Sequence, residues 1–205
     1  MTVTIRPATE HDAPSLSRIC LLTAEAGKSA EALHDYGELP GLVFSVPYVK
    51  LPTTWGFVLE DTQSKTVVGY VVGSTDTRAY EKYAAEHWWP ALAQQYPVER
   101  MSKPADVRYA KLLGNMFTGS EEAIALSSAH LHINILPEYQ RKGWGRKLIQ
   151  VAARHLEREQ NEAIRGKVWL GMDSRNTEAK AFYSKLGFRD IEGPGATMVI
   201  NLDDI

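Results

Sequence analysis

Residues 129–160 constrain the fold more than any other stretch. Ala129-His130-Leu131-His132-Ile133-Asn134-Ile135 alternates apolar and polar residues and stops at Pro137, which predicts a half-buried strand. Gly145 to Gln160 carries Leu148, Val151, Ala152, His155 and Leu156 on one stripe with charges elsewhere, which predicts an amphipathic helix. Between them runs Leu136-Pro137-Glu138-Tyr139-Gln140-Arg141-Lys142-Gly143-Trp144-Gly145. Glycines at a strand-to-helix turn let backbone N–H groups approach a ligand with no Cβ in the way. The helix start adds about half a positive charge, and Arg141, Lys142, Arg146 and Lys147 surround it. The segment suits a pyrophosphate with a further phosphate.

Spacing narrows the ligand. A P-loop needs Gly-x-x-x-x-Gly-Lys followed by Ser or Thr, and no such string occurs. A dinucleotide fingerprint needs a small residue where Leu148 stands, and a strand that opens a parallel βαβ unit near the N-terminus. The 205 residues include 23 basic and 25 acidic side chains, a net charge of −2, so no global field holds a polyanion or an acidic membrane. Any anion is bound locally, and with the clearest basic cluster confined to one loop, nucleic acid and membrane are not expected partners.

The remaining chain reads as an α/β or α+β sheet with helices on it. Val3-Thr4-Ile5 predicts an opening strand, and Leu16, Ile19, Cys20 and Thr23 recur at helical spacing behind a polar start at Thr9–Pro14. Gly37 to Pro52, with three prolines, predicts an irregular surface loop. Trp55–Asp61 and Thr66–Gly73 predict a hairpin. Arg78 to Tyr96 predicts a helix, and Lys167–Met172 and Met198–Leu202 predict strands. Asn176 predicts the N-cap of a helix through Leu186, with Gly187 as its left-handed C-cap. With 44% apolar and 23% charged residues, one domain over 1–205 can bury its own core. Cys20, the one cysteine, excludes an internal disulfide and reads as a small buried hydrophobe rather than a reactive thiol. The first residues lack the apolar run of a signal peptide and no stretch is long enough to span a bilayer, so a cytoplasmic protein is expected, a nuclear location also being compatible.

Gln140-Arg141-Lys142-Gly143-Trp144-Gly145 resembles the phosphate loop of the GNAT superfamily of acetyl-CoA-dependent N-acetyltransferases: Gln or Arg, two residues, Gly, any residue, Gly or Ala. Asn176 and Phe182-Tyr183-Ser184-Lys185-Leu186-Gly187-Phe188 are similar to that family's closing segment, and Ile5-Arg6-Pro7-Ala8 to its first strand. The resemblance covers the chain except Thr77 to Ser128, where about fifty residues replace a short turn. Val46-Pro47-Tyr48-Val49, Phe57–Asp61, Gly73-Ser74-Thr75-Asp76 and Trp88-Trp89-Pro90 resemble the acetyltransferase-like domain of animal O-GlcNAcases and its free-standing microbial relatives. Those animal domains lack an intact phosphate loop, and this chain has one.

The resemblance implies a mixed, mostly antiparallel central sheet flanked by helices, with a helical insertion at about 77–128 between the third and fourth main strands. It implies acetyl-CoA as cosubstrate and no metal. The backbone of Ile133 and Ile135 would pair with the pantetheine arm, beside Asn134. Gln140, Arg141, Lys142, Gly143, Trp144, Gly145 and Arg146 would hold the pyrophosphate, and Asn176, Phe182 and Tyr183 would face the cofactor. A bulky residue at Gly143 or Gly145 is then expected to abolish cofactor binding and leave the fold intact. Tyr183 is the acid for the departing thiolate by that pattern, or else an aromatic core residue.

His130, His132 and Asn134 share one strand face by period two. Either histidine is a candidate base, directly or through water, and either can equally be a hydrogen-bonded histidine at a sheet face. Asp76 is a candidate for binding a cationic amine or for capping a turn. Trp88 is a substrate platform or part of the insertion's core. The function implied is acetyl transfer to a primary amine, on a small molecule or a protein lysine, by a monomer or homodimer. The alternative is an acetyl-CoA-binding or protein-interaction module without catalysis.

Overall fold

The computed structural model describes residues 2–159, 161–193 and 195–205. Seven strands form one sheet: β1 Val3–Pro7, β2 Thr54–Asp61, β3 Thr66–Ser74, β4 His130–Ile135, β5 Lys167–Met172, β6 Arg189–Asp190 and β7 Ala196–Asn201. Their order is β1-β2-β3-β4-β5-β7-β6, and neighbours are antiparallel except for β4 with β5. The helices are α1 Ala13–Leu21, α2 Leu39–Phe44, α3 Thr77–His87, α4 Trp89–Gln95, α5 Pro104–Gly114, α6 Glu121–Leu126, α7 Trp144–Arg158 and α8 Thr177–Leu186. Helices α3 to α6 all lie between β3 and β4, so both the mixed sheet and its helical insertion are as the sequence predicts. No helix among the described residues is long and apolar enough to cross a membrane.

Local chemistry sets the element ends. At the β2–β3 turn, Asp61 Oδ1 accepts from the N–H groups of Gln63 (2.9 Å) and Ser64 (3.3 Å), and Lys65 takes a φ of +57°. Asn176 Oδ1 accepts from Ala179 N–H at 3.0 Å, and Gly187 at φ +109° closes α8. Helix α7 starts at Trp144, and Gln160, its predicted end, lies outside the described residues.

The strict alternation of β4 sorts two cores. On one face Leu131 and Ile135 join Leu148, Ile149, Ala152 and Leu156 of α7. Each fully buried Leu or Ile there contributes about 1.5–3 kcal/mol. On the other face α1 packs Leu16 and Ile19 with Tyr48, Val58, Tyr70, Val72 and Tyr80, and here His130, His132 and Asn134 point. Cys20 is buried in α1, its thiol pushed up to about 12 by burial, which makes it inert.

Two expectations are corrected. Gly37–Pro52 is not an irregular surface loop: it forms α2 and a 3-10 turn at Val46–Val49, with Leu39, Val43 and Tyr48 buried. Pro40 falls in the first turn of α2, where its missing N–H costs nothing. The insertion then supplies the cover, because Leu39 and Val43 share a core with Trp89, Leu92, Tyr96, Tyr109 and Leu113. The helix predicted over Arg78–Tyr96 is two helices parted at Trp88, since Pro90 has no N–H to give to the preceding turn. The insertion is also stapled to the chain ahead of α2. His34 Nδ1 lies 2.6 Å from Asp106 Oδ1, and Asp35 N–H donates to Asp106 Oδ2 at 2.8 Å.

Candidate functional site

Strands β4 and β5 meet at one pair, His130 opposite Trp169, where Trp169 N–H donates to Ala129 O at 3.2 Å. Beyond it they part. Leu136 N–H donates to Val68 O on the β3 side, so the backbone groups of the even residues of β4 face β3 and those of Leu131, Ile133 and Ile135 face β5. The N–H and C=O of Ile133 therefore point into a gap where the ladder has ended, as an added strand would need. The Ile135 carbonyl is taken by Gln140 Nε2 at 2.7 Å.

That bond positions the loop. With Tyr139 O–H donating to Asp61 Oδ2 at 2.8 Å, it holds residues 139–143 across the end of β4. The Tyr139 bond also keeps the Asp61 carboxyl below its ordinary range. Arg141 at φ +58° and Gly143 at φ +81° turn the chain into α7, and a Cβ on Gly143 would meet nothing within 4 Å. The free N–H groups of the first turn of α7 thus open onto the loop. Of the four basic side chains, Arg141 pairs with Glu178 of α8 at 3.0 Å and Lys142 donates to Glu138 O at 2.6 Å. Lys147 lies over the Trp144 ring at 4.3 Å, and Arg146 is exposed. Gly145 lies inside α7, where the Phe182 ring packs against its Cα.

Asn176 serves as the cap of α8, with its amide beside Gly27. Tyr183 is 8% exposed, between Phe182 and Phe188 at ring distances of 5.3 and 5.4 Å. Burial raises its hydroxyl well above the ordinary range, and that hydroxyl makes no hydrogen bond to the described residues. It stays protonated and free to donate.

The histidines form a connected group. Tyr48 Oη lies 2.7 Å from His130 Nε2 and 3.0 Å from His132 Nε2, and Thr77 Oγ1 lies 2.7 Å from His130 Nδ1. His130 is buried with both ring nitrogens engaged, and burial holds it neutral, well below its usual range. His132 is half-buried, also pushed down by burial, to about 4, and only its Nε2 has a partner among the described residues. Its ring sits 6.0 Å from that of Phe44, which stacks on Phe117 of the insertion at 6.1 Å.

Other predicted residues lie differently. The Asn134 side chain accepts from Tyr70 O–H at 3.0 Å and donates to Thr23 Oγ1 at 2.5 Å, on the α1 face. Asp76 caps α3 through Ala79 N–H at 3.0 Å. Trp88 Nε1 donates to Leu42 O at 3.1 Å and the ring packs into the insertion's core, away from the histidines. Sequence reasoning missed Tyr48, Thr77, Phe44 and Phe117. Tyr48 stood in a quoted string but was read as loop, and the period-two rule says which side chains share a face without saying what they meet.

Comparison with known proteins identifies the family and the fold. A family model described as the acetyltransferase (GNAT) domain matches residues 108–190. The solved structure of a protein designated SsHAT is 31% identical, with a TM-score of 0.83 over 98% of this chain and 99% of that one. The PaiA N-acetyltransferase of Thermoplasma acidophilum, in complex with coenzyme A, shares the fold at 15% identity, with a TM-score of 0.55 over 98% of this chain and 99% of that one. The aminoglycoside acetyltransferase AAC(6')-Ib, also with coenzyme A, does so at 15% identity and a TM-score of 0.56, over 99% and 96% of the two chains. The chain belongs to the GNAT family of acetyltransferases.

Proposed function

We propose that this acetyltransferase moves acetyl from acetyl-CoA to a primary amine by direct attack on the thioester, with His132 as base and Tyr183 as acid. The observation that carries the reading is the parting of β4 from β5, which turns the Ile133 backbone into a gap one residue from a half-buried, neutral histidine. The residues present fit acetyl-CoA: an unpaired strand edge for the pantetheine amides, and a helix start behind a left-handed glycine for the pyrophosphate.

Acetyl-CoA supplies the acyl group as an activated thioester. His132 Nδ1 takes a proton from the amine as the nitrogen bonds to the acyl carbon. The Tyr183 hydroxyl gives its proton to sulfur as the carbon–sulfur bond breaks. Ile133 N–H donates to the acyl oxygen, where negative charge develops. His130 has no free nitrogen for the base role. We read 1–205 as one domain in which the 77–128 segment closes the acceptor side through Phe117.

Incubation with acetyl-CoA and a panel of amines, following free thiol, tests the reading. Amine-dependent thiol release, lost in His132→Ala, supports it. Acetyl-CoA binding without amine-dependent release would instead favour a non-catalytic module.

A further inference from the structure

We infer that Thr77 and Tyr48 are positioning residues that fix the imidazole proton of His132 on Nε2 and so leave Nδ1 as the atom that accepts the amine's proton. This rests on the base assignment above and adds the device that prepares the base.

At the Ser128 end of this run of hydrogen bonds only one direction is open. Ser128 O is a carbonyl and can only accept; Thr77 Oγ1 donates to it at 2.7 Å, and Thr77 N–H does so at 2.9 Å. With its hydrogen committed, Thr77 Oγ1 can only accept from His130, so His130 carries its proton on Nδ1. Burial keeps His130 neutral, and its Nε2 is then a lone pair. Tyr48 O–H must donate to it. Having given its hydrogen, the Tyr48 oxygen accepts from His132 Nε2–H, and a neutral His132 is left with a lone pair on Nδ1. The reverse order would set Thr77 Oγ1 and Ser128 O face to face at 2.7 Å with no hydrogen between them.

Packing makes the order rigid. The Tyr48 ring stacks on Tyr80 at 4.9 Å and 17°, and the His130 ring is flanked by Tyr80 and Trp169 at 5.7 and 5.2 Å. Thr77 opens α3 and Ser128 lies two residues before β4, so the clasp closing the two ends of the insertion is also what orients the base. Ser128 Oγ donates to Thr75 O at 2.8 Å and tightens the same clasp. Because this run of hydrogen bonds ends on the Ser128 carbonyl, which only accepts, it has no outlet for a proton. The proton His132 gains leaves again by Nδ1, while Nε2–H keeps its bond to Tyr48.

The test is long-range proton–nitrogen NMR on protein labelled with nitrogen-15 in histidine, with kcat and KM on the same variants. Wild type should show His132 with Nδ1 unprotonated and hydrogen on Nε2. Thr77→Val, which does not touch His132, should shift it toward the Nδ1–H form and lower kcat about tenfold with KM for acetyl-CoA unchanged. Thr77→Ser should restore both the tautomer and the rate. An Nδ1–H form in the wild type, or a His132 spectrum indifferent to Thr77→Val at unchanged Tm, overturns the inference even if His132→Ala is inactive. Conversely, the predicted tautomers with a fully active His132→Ala would leave the hydrogen-bond order standing but remove its catalytic meaning, and with it the base assignment.

Discussion

A Cβ on Gly145 would stand 2.7 Å from Cζ of Phe182, closer than side chains approach. The second glycine of the 140–145 segment is thus required by packing: it lets α8 lie against the first turn of α7. Gly145→Val should lower Tm, at a cost of about 1–3 kcal/mol for overpacking, and weaken acetyl-CoA binding together. This corrects the expectation that either glycine could change with the fold untouched. Gly145→Ala combined with Phe182→Leu should recover most of the Tm loss seen in Gly145→Ala alone, which thermal unfolding reads directly.

Gly143 behaves otherwise, since nothing lies within 4 Å of its missing Cβ and its constraint is the φ of +81°. Gly143→Ala should cost about 1–2 kcal/mol of backbone strain and reduce acetyl-CoA affinity at least tenfold in calorimetry. Unchanged affinity would remove the loop from pyrophosphate binding.

Acid should act through the two histidines. His132 is pushed down by burial to about 4 and His130 is held well below its usual range, so both are neutral when folded at physiological pH. In the unfolded chain each takes up a proton below about 6.5. The unfolded state therefore binds more protons as pH falls from about 6.5 to about 4, and stability drops through that window by at most about 1.4 kcal/mol per pH unit for each. Tm measured against pH should show this slope, and His132→Gln should lessen it. The acid limb of kcat should fall near pH 4; a limb near 6.5 would place the base elsewhere.

Tyr183→Phe removes the only atom proposed to protonate the leaving sulfur and keeps the ring that packs between Phe182 and Phe188. Turnover should fall about a hundredfold, with acetyl-CoA affinity and Tm nearly unchanged. Wild-type turnover would make Tyr183 a core aromatic alone.

What was legible in the sequence is what local periodicity and local backbone chemistry determine. The β4 alternation, the α7 stripe and the cap at Asn176 with its Gly187 stop each depend on residues a few positions apart, and each stands where the spacing puts it. Tyr48 meets His130 across 82 residues, Thr77 meets His130 across 53, and His34 meets Asp106 across 72. No pattern along the chain encodes such meetings. The prolines around α2 read as loop for the same reason, because the apolar partners that make a short helix worthwhile come from the insertion.

Asp106→Ala should separate the insertion's docking from cofactor binding. The carboxylate takes Asp35 N–H at 2.8 Å and lies 2.6 Å from His34 Nδ1, with both side chains of the pair essentially buried. Alanine would leave the buried His34 ring without that partner, at a cost of about 1–3 kcal/mol, and Asp35 N–H without its acceptor. Tm should fall clearly and the acceptor KM should rise, while acetyl-CoA affinity holds. Asp106→Asn, which keeps an acceptor oxygen, should cost less.

Phe117 tests where the acceptor enters. It is 60% exposed, a large apolar side chain left in water, yet its loop is held firmly: Gly119 N–H donates to Glu81 at 2.6 Å and Arg78 donates to Gly119 O at 2.9 Å. A fixed aromatic face stacked on Phe44, whose ring is in turn 6.0 Å from His132, suits the apolar or cationic body of an amine as its nitrogen approaches Nδ1. Phe117→Ala removes no buried group of the core, so Tm and the KM for acetyl-CoA should stay within error. The KM for the acceptor should rise about tenfold, the effect of one lost aromatic contact of roughly 1.4 kcal/mol. Phe117→Tyr should retain most of the affinity. An acceptor KM indifferent to both changes would mean that amines reach His132 without crossing the insertion, and the 77–128 segment would then act on the site only through the Thr77 clasp.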